Sequence, residues 1–492
     1  METPEPQPFF KRLQAKLAAS RFFMFSALLH VVIVIVGGSA VLMKAMDKVE
    51  DFEASGGGEL VTQEVSATPP PPDTPQVEEV FTPTQPVVET PTLDAIVSTN
   101  TSNPTFQMAA ATLPSIKAPA SDMSKAIASI PKTMGSGAGK GIPGAMGSRM
   151  GSTARNTAMM KQGGKEKSEK AVMAGLRWLK ANQSADGSWS PDQKSAMTAL
   201  AILCFLGHGE TPESPEFGPT VKKGVDWLID KGTQFEGRMS LTKDGWGGHS
   251  GVYAHGIATY AMGEYYTMTK DERMLEPLKK AVKFIVDGQA PNGGWQYDYD
   301  KGPSSDTSVA GWQVQALKAA HLTGLSIEGV DAALDKSMLY FKEAQKEDGS
   351  FGYRNNTGGN GYSLSGVGTL CVYFWKGNKD ELVRKGIKSI LEKSEKDFPV
   401  EYKHEKADLY AWYYHTQACL MFGGSAWDKW NRMFQDQIAD NQSGDGSWPP
   451  IAGKSAGGGM MAQAGGGGPF YRTTLCILML EVFYRYMPTT KA

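Results

Sequence analysis

The stretch IADNQSGDGSW, residues 438–448, reads as a helix end, a tight glycine turn and a tryptophan. The phrase recurs. Residues 183–189 are QSADGSW, residues 289–295 are QAPNGGW and residues 345–351 are QKEDGSF. Each copy stands between two helical runs of different character. Before the first, in EKAVMAGLRWLKANQ, Val172, Leu176 and Leu179 recur at helical spacing and make one apolar stripe. After it, SAMTALAILCFLG (195–207) is apolar almost all round, as a helix buried on every side must be.

The pairing of an amphipathic run with an apolar one repeats to the end of the chain. Helices ending near Gly232, Gln289, Gln345, Glu395 and Gln442 follow the first, at intervals of 47 to 57 residues. The copies at Gly232 and Glu395 keep the helices but lack the glutamine. A period near 50 residues marks a repeat architecture in which each unit buries its face against its neighbours. The charged first helices suit an outer layer and the apolar second helices an inner one. The expected fold is all-α: a closed (α/α)6 toroid of six helical hairpins over residues 168–488, with an open solenoid as the alternative. In this reading the recurrent phrase is a staple. Its Gln bonds free carbonyls at the outer helix end, its Gly supplies a positive φ, and its aromatic covers the next outer helix.

The N-terminal third has another texture. Residues 22–43, FFMFSALLHVVIVIVGGSAVLM, carry no formal charge and are long enough to cross a bilayer of about 30 Å. Lys11, Arg12, Lys16 and Arg21 precede them, so residues 1–21 are expected in the cytoplasm and the bulk outside it. That places the protein in a cell inner membrane as a single-pass protein with a periplasmic C-terminal domain. A cleaved signal peptide, with Gly38-Ser39-Ala40 as its site, is the rival. Residues 44–167 are rich in Pro, Gly and Met and lack apolar periodicity, so they read as a disordered tether. The plan of basic tail, span and Pro-rich stalk resembles the TonB type of envelope protein. Of the 492 residues, 50 are Lys or Arg and 52 Asp or Glu, so no bulk charge draws the chain to nucleic acid. The four cysteines form no CxxC pair and sit in apolar runs, so they read as small buried hydrophobes.

The phrase resembles the QW motif of the squalene cyclase and prenyltransferase superfamily, and LKKAVKFIVDGQAPNGGW matches that pattern well. More narrowly, VYAHGIATYAMGEYYTMT, SSDTSVAGWQVQALKAAHLTGL and LYAWYYHTQACLMFGGSAWDKWN are similar to squalene-cyclase-repeat proteins of planctomycete and verrucomicrobial bacteria. The likeness implies the toroid but not the chemistry. The acid run of protonating cyclases, Asp-x-Asp-Asp-Thr, is met here by residues 303–307, PSSDT. Only Asp306 and Thr307 remain, and the acid position is Ser305, whose hydroxyl is far too weak an acid to protonate an alkene. The zinc of protein prenyltransferases needs an Asp two places before a Cys. Ile202, Thr369, Gln417 and Thr474 stand there instead. The thioester run Cys-Gly-Glu-Gln and the GxxxxGK[ST] phosphate loop are missing as well. Neither a metal nor another cofactor is expected.

Candidate site residues lie where inner helices begin. His255 and Asp306 are the candidate catalytic pair, with a core histidine and a helix N-cap as their plain alternatives. Asp298, Asp300, Trp312, Tyr410, Tyr413 and His415 are candidate ligand-binding residues, Tyr414 accompanying them. Asp298 and Asp300 together with Glu264 could form a carboxylate set for hydrolase or lyase work. The glycine-rich 456–468 could be a lid. The expected function is an envelope protein anchored in the membrane, whose toroid lacks cyclase chemistry and binds a hydrophobic or isoprenoid ligand or an envelope protein partner. An enzyme with a repurposed lumen, acting on isoprenoids or glycans, and a purely structural component remain alternatives.

Overall fold

The computed structural model describes residues 144–240, 249–451 and 468–485. The expected span at 22–43, the tether before residue 144 and the glycine-rich 456–467 lie outside the described residues. Among the described residues no helix is long and apolar enough to cross a membrane, and no strand forms beyond isolated bridges.

A 3-10 turn, Gly144–Arg149, opens the described chain and leads into α1, Ser152–Lys161. Both precede Ser168, so the folded body begins earlier than the expected boundary. Outer and inner helices then alternate. The outer ones are α2 (Glu166–Ala181), α4 (Gly218–Gln234), α6 (Leu275–Asp287), α8 (Val330–Ala344), α10 (Glu381–Lys396) and α12 (Gly424–Ala439). The inner ones are α3 (Lys194–Gly207), α5 (His249–Thr269), α7 (Thr307–Leu322), α9 (Ser365–Lys376), α11 (Leu409–Phe422) and α13 (Gly468–Leu480), with a short α14 (Val482–Arg485) after it.

The inner helices pack in the order α3, α5, α7, α9, α11, α13, and α13 returns to α3, so the ring closes. Outer helices lay one apolar stripe inward. In α10 that stripe is Val383, Ile387 and Ile390, each contributing about 1.5–3 kcal/mol by leaving water. Inner helices have no polar face: every residue from 307 to 320 of α7 and from 409 to 421 of α11 is buried. The hairpin partners differ from those expected. Each outer helix packs chiefly on the inner helix before it, α4 on α3 and α12 on α11. The ring is therefore sealed by α2 packing on α13, which joins the two ends of the folded chain.

The staple also works differently in detail. The glutamine does not serve its own helix end. Gln183 Nε2 donates to Gly187 O (2.9 Å) in its own turn and to Thr220 O (3.0 Å) in the next outer helix, α4. Gln289 reaches Ala333 O in α8 and Gln345 reaches Leu382 O in α10. Gln442 reaches Ala171 O in α2, across the seam. The free carbonyls of the preceding outer helix go to the tryptophans: Trp189 Nε1 to Leu179 O, Trp295 Nε1 to Ile285 O and Trp448 Nε1 to Ile438 O, at 2.7–2.8 Å. Gly187 and Gly446 have φ of 91° and 95°, and a Cβ there would strike a backbone carbonyl of the next outer helix.

Candidate functional site

Two polar layers sit inside the ring, one at each end of the inner helices. Asp306 caps the N-terminus of α7 and is wholly buried. Its Oδ1 accepts from Ser308 N (2.8 Å), Val309 N (3.0 Å) and the Ser308 hydroxyl, and its Oδ2 from the Tyr297 hydroxyl (2.9 Å). Tyr297 also meets Tyr353 (2.6 Å), and Ser308 meets Tyr253 of α5 (2.6 Å). Burial pushes the Asp306 carboxyl up, and these hydrogen bonds pull it back only in part. Ser305, at the position of the cyclase acid, is buried and donates to Asn292 Oδ1 (2.8 Å).

His255 is not beside Asp306 as a partner. Its Nδ1 accepts from Met239 N (3.1 Å) and its Nε2 meets Ala281 O (2.9 Å), which joins α5 to outer helix α6 and implies a proton on Nε2. Burial pushes its pKa down to about 4, against a small lift from the carbonyl. The geometry is that of a core histidine. His415 resembles it. Its Nε2 meets Tyr362 O (3.1 Å), its ring lies against Tyr362 and outer-helix Trp430, and burial pushes its pKa down to about 3.

Trp312 and Tyr413 do come together. Trp312 of α7 stacks on Tyr413 of α11 (centroids 5.8 Å, planes at 20°) and meets Tyr414 edge-on at 5.6 Å. Tyr410 packs on Tyr414 at 5.0 Å, and Gln315 Nε2 donates to the Tyr414 hydroxyl (3.0 Å). Helix α9 stands between α7 and α11 in the ring, so this aromatic layer crosses the lumen. Trp312 Nε1 and Gln315 Oε1 have no hydrogen-bond partner among the described residues.

The carboxylate set is not assembled. Asp298 and Asp300 are exposed at a 3-10 turn, where Asp300 Oδ1 accepts from Gly302 N. Glu264 lies toward the opposite end of α5 and is committed elsewhere. Its Oε2 takes Arg149 Nη1 at 2.8 Å and its Oε1 faces Arg485 Nη2 at 3.6 Å. Burial alone would raise the Glu264 carboxyl, but the two guanidinium groups outweigh it and hold it at about 2. Lys318 of α7 lies 4.1 Å over the Phe374 ring, and burial pushes it down to about 8 despite Glu264. Among the described residues no group of three or more His, Cys, Asp or Glu is placed to hold a metal ion.

Sequence reasoning missed Arg149, Arg485, Gln315 and the Tyr253–Tyr297–Tyr353 set. The tyrosines had a signal, since each stands at an inner helix start or in the turn before one. Arg149 had none. It sits in a Gly/Met/Ser-rich run with no apolar period.

Comparison with known proteins gives a family model described as a domain of unknown function, DUF6288, over residues 168–367. The chain is 26% identical over 204 residues to a probable squalene–hopene cyclase of Sinorhizobium fredii, covering 36% of this chain and 30% of that protein. It is 25% identical over 138 residues to lanosterol synthase of Pneumocystis carinii, covering 27% of this chain and 19% of that protein. The match thus spans less than a third of either curated relative. Among solved structures, the GH76A α-1,6-mannanase of Salegentibacter sp. HEL1_6 is similar with a TM-score of 0.47 and 11% identity, covering 64% of this chain and 98% of that one. The type II terpene cyclase MstE of Scytonema gives 0.45 and 11%, covering 64% and 98%. The sequence relatives and the closed two-layer ring support a squalene-cyclase-like superfamily for the helical body.

Proposed function

We propose that this chain is a membrane-tethered envelope protein whose toroid has given up cyclase chemistry and binds a hydrophobic ligand of isoprenoid type through the aromatic layer of its lumen. One observation carries the reading: Trp312 stacked on Tyr413 across the ring, with Tyr414 at its edge and two polar atoms, Trp312 Nε1 and Gln315 Oε1, unmatched among the described residues. Aromatic faces offer apolar contact, and a lone donor and acceptor beside them fix the polar end of an otherwise apolar molecule. The layer has no measurable exposure at Trp312, Tyr413 or Tyr414, so its rings must part to admit a ligand.

Acid chemistry is disfavoured from two sides. Ser305 cannot supply a proton to an alkene. Asp306 spends both oxygens on the cap of α7 and on Tyr297, and His255 spends both nitrogens on backbone groups. Glycan hydrolysis is disfavoured as well, because Asp298 and Asp300 are exposed and Glu264 is paired with arginine.

The test uses the full chain purified in mild detergent, extracted with organic solvent and analysed by mass spectrometry. An isoprenoid lipid should be enriched over bulk membrane lipid, and a Trp312→Ala/Tyr413→Ala variant that still melts cooperatively should lose at least about tenfold of it, since two large contact faces go. Equal retention by the variant removes the aromatic layer as the site. Turnover of squalene by the parent chain would defeat the non-catalytic reading.

A further inference from the structure

The segment that enters the ring from the tether side does not belong to the repeat. Residues 144–161 precede α2, yet Arg149 is 2% exposed inside the C-terminal end of the lumen. Its guanidinium is held by an acceptor set. Nε donates to Arg485 O at 3.0 Å. Nη1 donates to Glu264 Oε2 at 2.8 Å, to Leu206 O at 3.4 Å and to Met268 Sδ at 3.8 Å. These acceptors come from α3, α5 and α14, which belong to the ring and its C-terminal cap. The acceptors engage two nitrogens of one planar group, Nε and Nη1, which a guanidinium supplies and the single nitrogen of an ammonium does not.

Two further observations point to a site with an occupant. Glu481, at the end of α13, is wholly buried and neither carboxyl oxygen has a hydrogen-bond partner among the described residues. Burial pushes the Glu481 carboxyl well above the usual carboxylate range, so this end keeps an unpartnered acid group beside the Arg149 site rather than a second negative charge. Residues 144–161, a strap laid over this end of the ring, also have few anchors in it. Helix α1 has no side-chain cap and buries only Met159 of its ten residues. Apart from Arg149, the strap is held by Met146 and Met159, both buried in the core, and by Ser148 Oγ to Tyr484 O (2.7 Å), Arg155 Nη1 to His208 O (2.9 Å) and an Arg155–Glu169 pair at 3.4 Å.

We propose that the C-terminal end of the lumen is a guanidinium-binding site, formed by the Glu264 carboxylate, the Leu206 and Arg485 carbonyls and the Met268 sulfur. The chain fills it in cis with Arg149, and the site accepts another guanidinium when that side chain is withdrawn. The tether and the ring are thereby coupled. A pull that extracts residues 144–161 empties the site, and an arginine-bearing ligand that enters it expels the strap.

The test is chemical rescue on the full chain in detergent. Arg149→Ala should melt below the parent, and methylguanidinium chloride at millimolar concentration should raise its Tm in a saturable way. Methylammonium chloride should not. The parent and the Arg149→Ala/Glu264→Gln double variant should show no saturable rise. A missing rise in Arg149→Ala, or an equal one in the double variant, overturns the proposal. Should Arg149→Ala give no folded protein, Arg149→Lys keeps a cation in the lumen but not the fork. Amide exchange across residues 144–161 should then quicken by at least about tenfold, because the strap's main anchor is gone. Exchange equal to the parent's overturns the proposal equally.

Discussion

The two ends of the lumen each bury a carboxylate, and the surroundings drive the two in opposite directions. At the N-terminal end, Asp306 is surrounded by neutral donors: two backbone N–H groups, a serine and a tyrosine. Burial wins there and the carboxyl is raised. At the C-terminal end, Glu264 is equally buried but has Arg149 and Arg485 beside it, and its carboxyl is held at about 2. The first layer is made within the repeats, from helix starts and the turns before them. The second needs an arginine, Arg149, from the segment that precedes the first repeat. The difference teaches that the repeat supplies the partners of its buried carboxyl Asp306 from its own helix start and turns, whereas the charge on Glu264 takes a partner from outside the repeat.

The largest expected effect comes from breaking the charged end. Glu264→Gln leaves two guanidinium groups buried without their counter-ion, and loss of one partner of a buried pair costs about 3–5 kcal/mol. Chemical denaturation of parent and variant measures it. A cost below about 1 kcal/mol would mean that the pair is solvated in solution, and the contrast between the two ends would collapse.

How much of this contrast was legible beforehand differs by layer. The inner and outer helices follow from apolar pattern alone, because a helix such as 195–207 with no polar face has nowhere to go but the interior. Asp306 was legible as a cap, since an Asp before Thr307 and an apolar run is a helix start signal. What Asp306 touches was not. Tyr297 and Tyr353 are 56 positions apart and meet only because successive repeats lay their turns side by side. The staple was half legible. The glycine's role follows from its φ, but sequence could not say that glutamine reaches forward to the next outer helix while tryptophan reaches back. Arg149 was invisible, because a single long side chain in a run without apolar period leaves no mark of burial. His255 carries the reverse lesson. A histidine in an apolar helix invites a catalytic reading, and two backbone bonds explain it fully.

Acidification sharpens the comparison next. The folded pKa of His255 is depressed to about 4 and that of His415 to about 3, below the unfolded value near 6.5. Such groups stabilise the fold above the unfolded value, and that stability is lost as pH falls from 6.5 toward 4, because the unfolded chain takes up the protons first. For His255 the loss is on the order of 3 kcal/mol. His208 has the opposite sign. Burial acts to lower its pKa, but hydrogen bonds to Glu169 and Glu210 prevail and raise it, so its contribution is full below 6.5 and fades as pH rises through the folded value. Urea midpoints across pH 4 to 8 should therefore fall steeply on the acid side and gently on the alkaline side. A flat acid limb would show that the two core histidines are protonated in the fold.

The smallest effect is expected at the neutral end, and its smallness is what distinguishes the two layers. Asp306→Asn keeps the shape and removes the charge. The amide oxygen can still accept from Ser308 N and Val309 N, so the cap of α7 survives, and Asn ranks with Asp as a cap. The amide nitrogen would donate to the Tyr297 hydroxyl, which then turns its own proton to Tyr353, 2.6 Å away. No buried atom loses a partner, so the cost should stay within about 1 kcal/mol, well below that of Glu264→Gln. Denaturation of both variants under one buffer decides the matter. If Asp306→Asn costs as much as Glu264→Gln, the N-terminal layer holds an ionised carboxylate on which the ring depends, and Asp306 becomes a charged site rather than a neutral cap.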